Sequence, residues 1–125
     1  KVEWCGWFSG DEKFSFLSSI DVLTLTSYNE NFANVVLESL LVGTPVLLSD
    51  QVGMAEFVDQ SELGWVCGLT ISSIVEQLNY INQHRGSITA IGQRSPSVVK
   101  KNFSRVHLGY QYSESYEQYS EANSR

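Results

Sequence analysis

The chain is short of positive charge. No lysine or arginine occurs between Phe14 and His84, and 8 basic residues face 14 acidic ones for a net charge of −6. A nucleic-acid or anionic-membrane surface needs a basic patch, so neither partner is expected. An anion held within that stretch would meet backbone amides only, and an Arg or Lys clamp would have to come from elsewhere. Cysteine is equally scarce. Cys5 and Cys67 sit in apolar, strand-like runs and read as reduced core residues, since two such thiols make no disulfide framework. His84 and His107 are isolated, no His/Cys cluster has metal-ligand spacing, and no Asp-x-Asp occurs. No bound metal or other cofactor is therefore expected. No apolar run approaches the roughly 20 residues of a membrane span, and no signal peptide is visible. These absences predict a cytoplasmic place, with any contact to the inner membrane face made through a part absent here. Repeats and low-complexity tracts are lacking too. What is present suits one small packed domain: 125 residues, 42% apolar and 12% aromatic, enough to bury a core.

Taken in order, the chain starts abruptly and reads as the interior of a longer protein. Val2-Glu3-Trp4-Cys5-Gly6 alternates like a strand that ends in a glycine turn. Trp4 and Trp7 read as core or interface, a stacking platform for a base or sugar being the rarer use. Asp11 opens a helix whose buried stripe is Phe14, Leu17 and Ile20, or Phe16 and Ile20. Lys13 reads as solvated and Asp21 as a turn residue. Val22–Thr26 is a second strand and Val46–Ser49 a third. Asp50–Gly53 is a polar loop at that strand's end, placed to face a ligand. Met54–Val58 is a short helix carrying Glu56, and Leu63–Cys67 a last short strand.

From Thr70 the spacing of Ile71, Ile74, Val75, Leu78 and Ile81 predicts a helix with Gly86 as its stop. A helix over Ser87–Arg94 is expected to end before Pro96, followed by a stretch over Ser97–Asn102. Ser104 is expected to cap a final helix bearing Val106, Tyr110, Tyr112, Tyr116 and Tyr119. Strands alternating with helices predict an α/β fold: a Rossmann-like parallel sheet of about four strands with flanking helices, the part from 70 to 120 mostly helical.

The informative stretch is Ser27–Gly43. An apolar strand runs into a polar turn, and the turn runs into an apolar helix that Gly43 closes. The first amides of a helix lack intrahelical partners and carry the positive end of its dipole, so a helix start after a strand suits an anion. Open α/β sheets place ligands beyond the carboxyl ends of their strands. Glu38 lies among Val35, Val36, Leu37, Leu40 and Leu41, on a helix that looks buried nearly all round. An ionised carboxylate there costs several kcal/mol, roughly, unless paired, and the helix dipole offsets only about 0.3–1 kcal/mol of that. Vicinal hydroxyls of a ribose would meet it. A distant Arg, or a route to the surface, would do so as well.

Ser27-Tyr28-Asn29-Glu30, Phe32, Glu38, Gly43-Thr44-Pro45-Val46 and Ser49-Asp50 resemble the E-x7-E region of the group 1 glycosyltransferases, retaining enzymes of the GT-B fold. The likeness extends upstream to Val2–Gly6 and downstream to Gly64-Trp65-Val66. It implies that residues 1–125 are part of a carboxyl-terminal donor-binding domain. Glu38 would bind the ribose of a nucleotide-sugar, and Glu30, the candidate catalytic residue, would lie by the donor sugar. The backbone of Asn31, Phe32, Ala33 and Asn34 would approach the sugar and diphosphate. Asn31 and Ala33 stand where the family often has glycine and bare backbone meets the ligand.

The resemblance further implies transfer of a hexosyl group with retention to a glycan or lipid-linked acceptor, the acceptor being held by an amino-terminal domain not present here. The family's Gly-rich turn and Arg/Lys pair are missing as well, so the isolated chain is expected to be inactive. The rival reading is a non-catalytic nucleotide-sugar or phosphate-binding Rossmann-like module. A receiver-type domain would need acidic companions for Asp50 that the sequence lacks. A purely structural α/β domain would leave Glu30 and Glu38 paired with Arg or solvated.

Overall fold

The computed structural model describes residues 1–31 and 33–103. Its elements run α1 (Asp11–Ser19), β1 (Leu23–Leu25), α2 (Asn34–Leu41), β2 (Val46–Ser49), α3 (Ala55–Gln60), β3 (Gly64–Cys67), α4 (Ile71–Gln83) and α5 (Gly86–Phe103). The strands form one parallel sheet in the order β1-β2-β3. The α/β class and the flanking helices are as expected. The sheet has three strands among the described residues, where about four were expected. Residues 2–5 pair with nothing described, and Val2, Trp4 and Cys5 are exposed, Trp4 at 95%. Alternation marks a strand candidate, but a strand also needs a ladder partner, and the outer edge of β1 is not taken up by this segment.

Strand β2 explains the layering. All four of its residues are buried, as in a parallel strand covered on both faces. Side chains alternate along a strand, so Val46 and Leu48 enter a core with Val36, Leu37, Leu40, Val58 and Val99, while Leu47 points the other way to Cys67 and Ile81. Helices α2, α3 and α5 therefore cover one face and α4 the other. The cover on the second face is thin. Of the expected α4 stripe only Ile81 is buried, while Ile71, Val75 and Leu78 are exposed.

Helix α2 ends in a Schellman motif. Gly43 takes φ +85°, its amide donates to the Leu40 carbonyl, and the Thr44 amide donates to that of Ser39. Helix α3 closes the same way on Glu62, at φ 54°, an uncommon place for a side chain with a Cβ. The Glu62 carbonyl is held by the Arg94 guanidinium.

The second half of the chain departs from the reading in two places. Gly86 stops nothing: α4 ends at Gln83, and Gly86 is the first residue of α5. Nor does Pro96 end a helix, because α5 runs through it to Phe103. An interior proline costs about 3 kcal/mol. Carrying the helix on past it buries Val99 against the core and sets Phe103 edge-on to Phe57, with ring centroids 4.9 Å apart. Burial of one large apolar side chain is worth about 1.5–3 kcal/mol, so the two contacts offset the proline. The expected cap at Ser104 and the tyrosine-bearing helix beyond it lie outside the described residues, as does His107.

Helices α2 and α5 meet backbone to backbone. A Cβ on Gly92 would run into the Gly43 carbonyl oxygen, and Ser95 Oγ donates to the Leu40 carbonyl at 2.9 Å from a buried position. Gly92→Ala should therefore destabilise the chain by about 1–2 kcal/mol in urea unfolding, the overpacking cost exceeding the helix-propensity gain of about 1 kcal/mol. A variant more stable than the parent would contradict this packing.

Candidate functional site

Two loops leave the carboxyl ends of neighbouring parallel strands, 26–33 after β1 and 50–54 after β2, and they are joined. Ser49 Oγ donates to the Ser27 carbonyl at 2.5 Å. Further out, Glu30 and Val52 form an isolated parallel bridge, and the Gly53 amide donates to the Glu30 carbonyl at 2.6 Å. The β1–β2 ladder lapses at the strand ends and resumes for one pair at the rim. Gly53 permits the closeness, since a Cβ there would overlap the Asn31 carbonyl. The result is a rim whose backbone is fixed by hydrogen bonds, and α2 starts from it.

Most of the candidate residues stand on this rim. Glu30 is half-buried and has its backbone tied to the second loop; Asn31 and Asn34 are exposed. Ala33 is buried at 3% and is the N-cap of α2. Having no polar side chain, it leaves the helix start without a side-chain cap; the Val36 amide donates to the Ala33 carbonyl at 3.0 Å, and the Asn34 and Val35 amides of the first turn remain available to an outside acceptor. Phe32 lies outside the described residues.

Glu38 lies one turn further along α2, only 7% exposed, as its apolar neighbours suggested. It is not without a partner. Lys13 Nζ, in the first turn of α1, donates to Glu38 Oε1 at 2.9 Å, with side-chain exposures of 35% and 10%. Lys13 is therefore not the solvated residue that its sequence context suggested. One charge-assisted hydrogen bond contributes about 1.5–3 kcal/mol, whereas burying a carboxylate costs several kcal/mol, roughly. The ammonium thus offsets much of the burial without a ligand. Oε2 has no partner among the described residues.

Lys13 was the residue missed. The signal was present: it is the sole Lys or Arg between positions 2 and 84, in the first turn of a helix. Its partner is 25 positions away, beyond any local spacing rule. The orientation follows from topology. The end of α1 is tied to the start of β2, because Thr44 Oγ1 donates to the Leu17 carbonyl at 2.6 Å. The first turn of α1 therefore points back toward the carboxyl rim.

The remaining polar residues lie elsewhere or serve the frame. Glu56 accepts from Gln60, and Asp50 from Gln51, both exposed. Asp21 pairs with Arg85 at 2.8 Å in solvent. His84 is satisfied at the end of α4, its Nδ1 2.8 Å from the Tyr80 carbonyl. A shallow groove along α4, lined by Val75, Glu76, Asn79 and Tyr80, is on the sheet face opposite α2 and takes no part in the rim. No group of acidic, His and Cys side chains that could hold a metal occurs among the described residues, and no described helix is long and apolar enough to cross a membrane. Both cysteines are free. Cys67 is buried, and burial first, then the charge of Asp50, pushes its thiol above its ordinary value.

The profile of the family described as "Glycosyl transferases group 1" matches residues 1–97. The chain is 29% identical over 109 residues to the lipopolysaccharide core biosynthesis glycosyltransferase LpsE of Rhizobium meliloti, an alignment of 84% of this chain and 31% of that protein. It is 31% identical over 116 residues to the alpha-1,3/1,6-mannosyltransferase ALG2 of Eremothecium gossypii, covering 84% of this chain and 22% of that one. In fold it is similar to the sucrose-phosphate synthase of Thermosynechococcus elongatus, with a TM-score of 0.67, 23% identity, and coverage of 86% of this chain and 27% of that one. The chain spans less than a third of the length of each of these proteins.

Two measurements check this geometry. Gly53→Ala should push the loops apart, moving amide resonances of residues 27–33 and 50–54 together and lowering stability by about 1–3 kcal/mol; shifts confined to residue 53 and its neighbours would contradict the join. A thiol raised in the folded state keeps its proton longer than in the unfolded chain. The Cys67 contribution to stability should thus be complete below the ordinary thiol value of about 8.5 and fall as pH rises beyond it. Cys67→Ser, compared with the parent by urea unfolding at pH 7 and pH 9.5, should lack that part of the decline.

Proposed function

The chain belongs to the group 1 glycosyltransferases, with a three-stranded parallel sheet and flanking helices that match part of a GT-B fold, and from that premise we propose that its carboxyl rim binds the nucleotide-sugar donor of a retaining hexosyltransferase. The observation that carries this reading is the placement of the Glu-x7-Glu pair. Glu30 is on the loop leaving β1, and Glu38 is on the helix which that loop begins. This is the end of a parallel sheet where ligands of open α/β folds are received.

In this reading each residue has a separate task. Glu38 accepts a hydrogen bond from a ribose hydroxyl through Oε2, the oxygen that Lys13 leaves free. The uncapped start of α2, with the backbone of Asn31, Ala33 and Asn34, faces the diphosphate and sugar. Glu30 stands beside the donor sugar. As the bond from anomeric carbon to phosphate oxygen lengthens, positive charge develops on the sugar, as in glycoside chemistry generally, and negative charge on the departing diphosphate. Amides fixed in advance stabilise that diphosphate without having to reorganise, usually the largest catalytic contribution. The acceptor hydroxyl attacks from the face the diphosphate leaves and gives its proton to the departing diphosphate oxygen, giving retention. No metal is assigned a part.

The named activities of the relatives, lipopolysaccharide core biosynthesis and mannosyl transfer, support a hexosyl donor and a glycan or lipid-linked acceptor. That acceptor would be held by a further domain across a cleft, and residues 1–125 would be the donor side of it. A non-catalytic nucleotide-sugar-binding module would use the same rim, and a transfer assay on the whole protein separates the two.

Glu38→Ala should weaken nucleotide-sugar binding about 10- to 100-fold, the loss of one charge-assisted hydrogen bond, read by calorimetric titration with circular dichroism as the check on folding. Glu30→Gln should instead lower kcat more than it raises KM for the donor. A folded Glu38→Ala protein with undiminished affinity would remove the reading.

A further inference from the structure

The Lys13–Glu38 pair raises a question that the donor reading does not answer. A buried carboxylate held by an ammonium is satisfied at one oxygen, and its orientation is then set by the residue that holds it. Glu38 is buried at 7%, Oε1 takes the Lys13 ammonium at 2.9 Å, and Oε2 has no described partner. Lys13 in turn has limited freedom. It sits in the first turn of a helix whose other end is tied to the start of β2 by the Thr44–Leu17 hydrogen bond, and its ammonium lies 5.5 Å from the centre of the Phe14 ring. Phe14 is itself buried.

We propose that Lys13 is a positioning residue for the donor ribose: it holds Glu38 through Oε1 so that Oε2 is presented, ionised, to a sugar hydroxyl. This rests on the donor reading of the rim and adds to it a residue on α1, outside the Glu-x7-Glu stretch. Three features support it. Lys13 is the sole Lys or Arg between positions 2 and 84, so no other cation of that stretch can hold the carboxylate. The pair joins two helices whose first turns both approach the carboxyl rim. The division of labour between the two oxygens also matches the chemistry of a ribose, whose hydroxyls donate and so need an acceptor that is charged and fixed in direction.

The alternative use of the same ammonium, a direct grip on the diphosphate, predicts a different pattern. A residue that acts through Glu38 affects recognition of ribose hydroxyls. A residue that grips phosphate affects every nucleotide equally, with or without those hydroxyls.

The test therefore compares ribonucleoside diphosphates with their 2′,3′-dideoxy counterparts. Uridine, guanosine and adenosine diphosphates and their dideoxy forms are titrated into the 15N-labelled 125-residue chain, and dissociation constants are taken from amide shifts, a readout that reaches weak binding. The parent chain should prefer the ribo form of its cognate nucleotide by about tenfold, the effect of one good hydrogen bond. Lys13→Met, which keeps the apolar stem, should abolish most of that preference while leaving affinity for the dideoxy form within about twofold. Lys13→Arg should restore it. A Lys13→Met chain that keeps the full ribo preference overturns the proposal and leaves the donor reading standing, and so does one that loses affinity for both forms alike. A parent chain that binds none of the nucleotides overturns both. If Lys13→Met proves unfolded by circular dichroism, Lys13→Leu, which likewise has no donor at that position, takes its place under the same criteria.

Discussion

Helix α2 is enclosed on nearly every side, and the rest of the chain is arranged to make that tolerable. From Val36 to Leu41 every residue is buried, including an acid and a serine. The sheet takes one flank through Val46 and Leu48. Helix α5 takes another, coming close enough at Gly92 and Gly43 that no side chain fits between the backbones, and Ser95 satisfies a helix-end carbonyl there. Helix α1 takes a third, supplying Lys13 to Glu38 and the Leu17 carbonyl to Thr44. Among the described residues each buried polar side chain around α2 has a named partner, Glu38 through Oε1 alone, as the cost of leaving one unmade requires.

Only the first turn of α2 escapes this enclosure, and it does so at the end of the sheet where the two loops are joined. The rim is rigid for local reasons. Ser49, Val52 and Gly53 tie the backbone of the first loop to the second. The hydrogen bonds that fix the rim are made by backbone and one serine, so the Glu30 side chain is not spent on holding the two loops together. The near absence of Lys and Arg from this half of the chain gives Lys13 its weight, for it is the sole Lys or Arg between positions 2 and 84 and it is the one that meets the buried acid.

Much of this architecture was legible from local pattern. Strand β2 was read with its true bounds because a short apolar run between Pro45 and Asp50 has few other fates. The end of α2 at Gly43 was read because a left-handed residue is needed there and glycine supplies it without strain. The readings that failed had a common cause. Residues 2–5 alternate as a strand does, yet a strand exists only with a neighbour. Pro96 breaks helices in isolation, yet here Val99 and Phe103 gain enough by packing to carry α5 through it. Cys5 and the outer residues of α4 look like core by type and are exposed because nothing described lies over them.

The sequence by itself determined the α/β class, the three strands of the sheet, the ending of α2 and the two glutamates at their fixed separation, because each depends on residues within one turn or one strand of each other. Only the tertiary structure decided which cation meets the buried acid, how the two rim loops are joined, and that α5 runs on through Pro96. Those outcomes depend on groups tens of residues apart in the chain. Their contact energies exist only once the sheet has set which helices are neighbours.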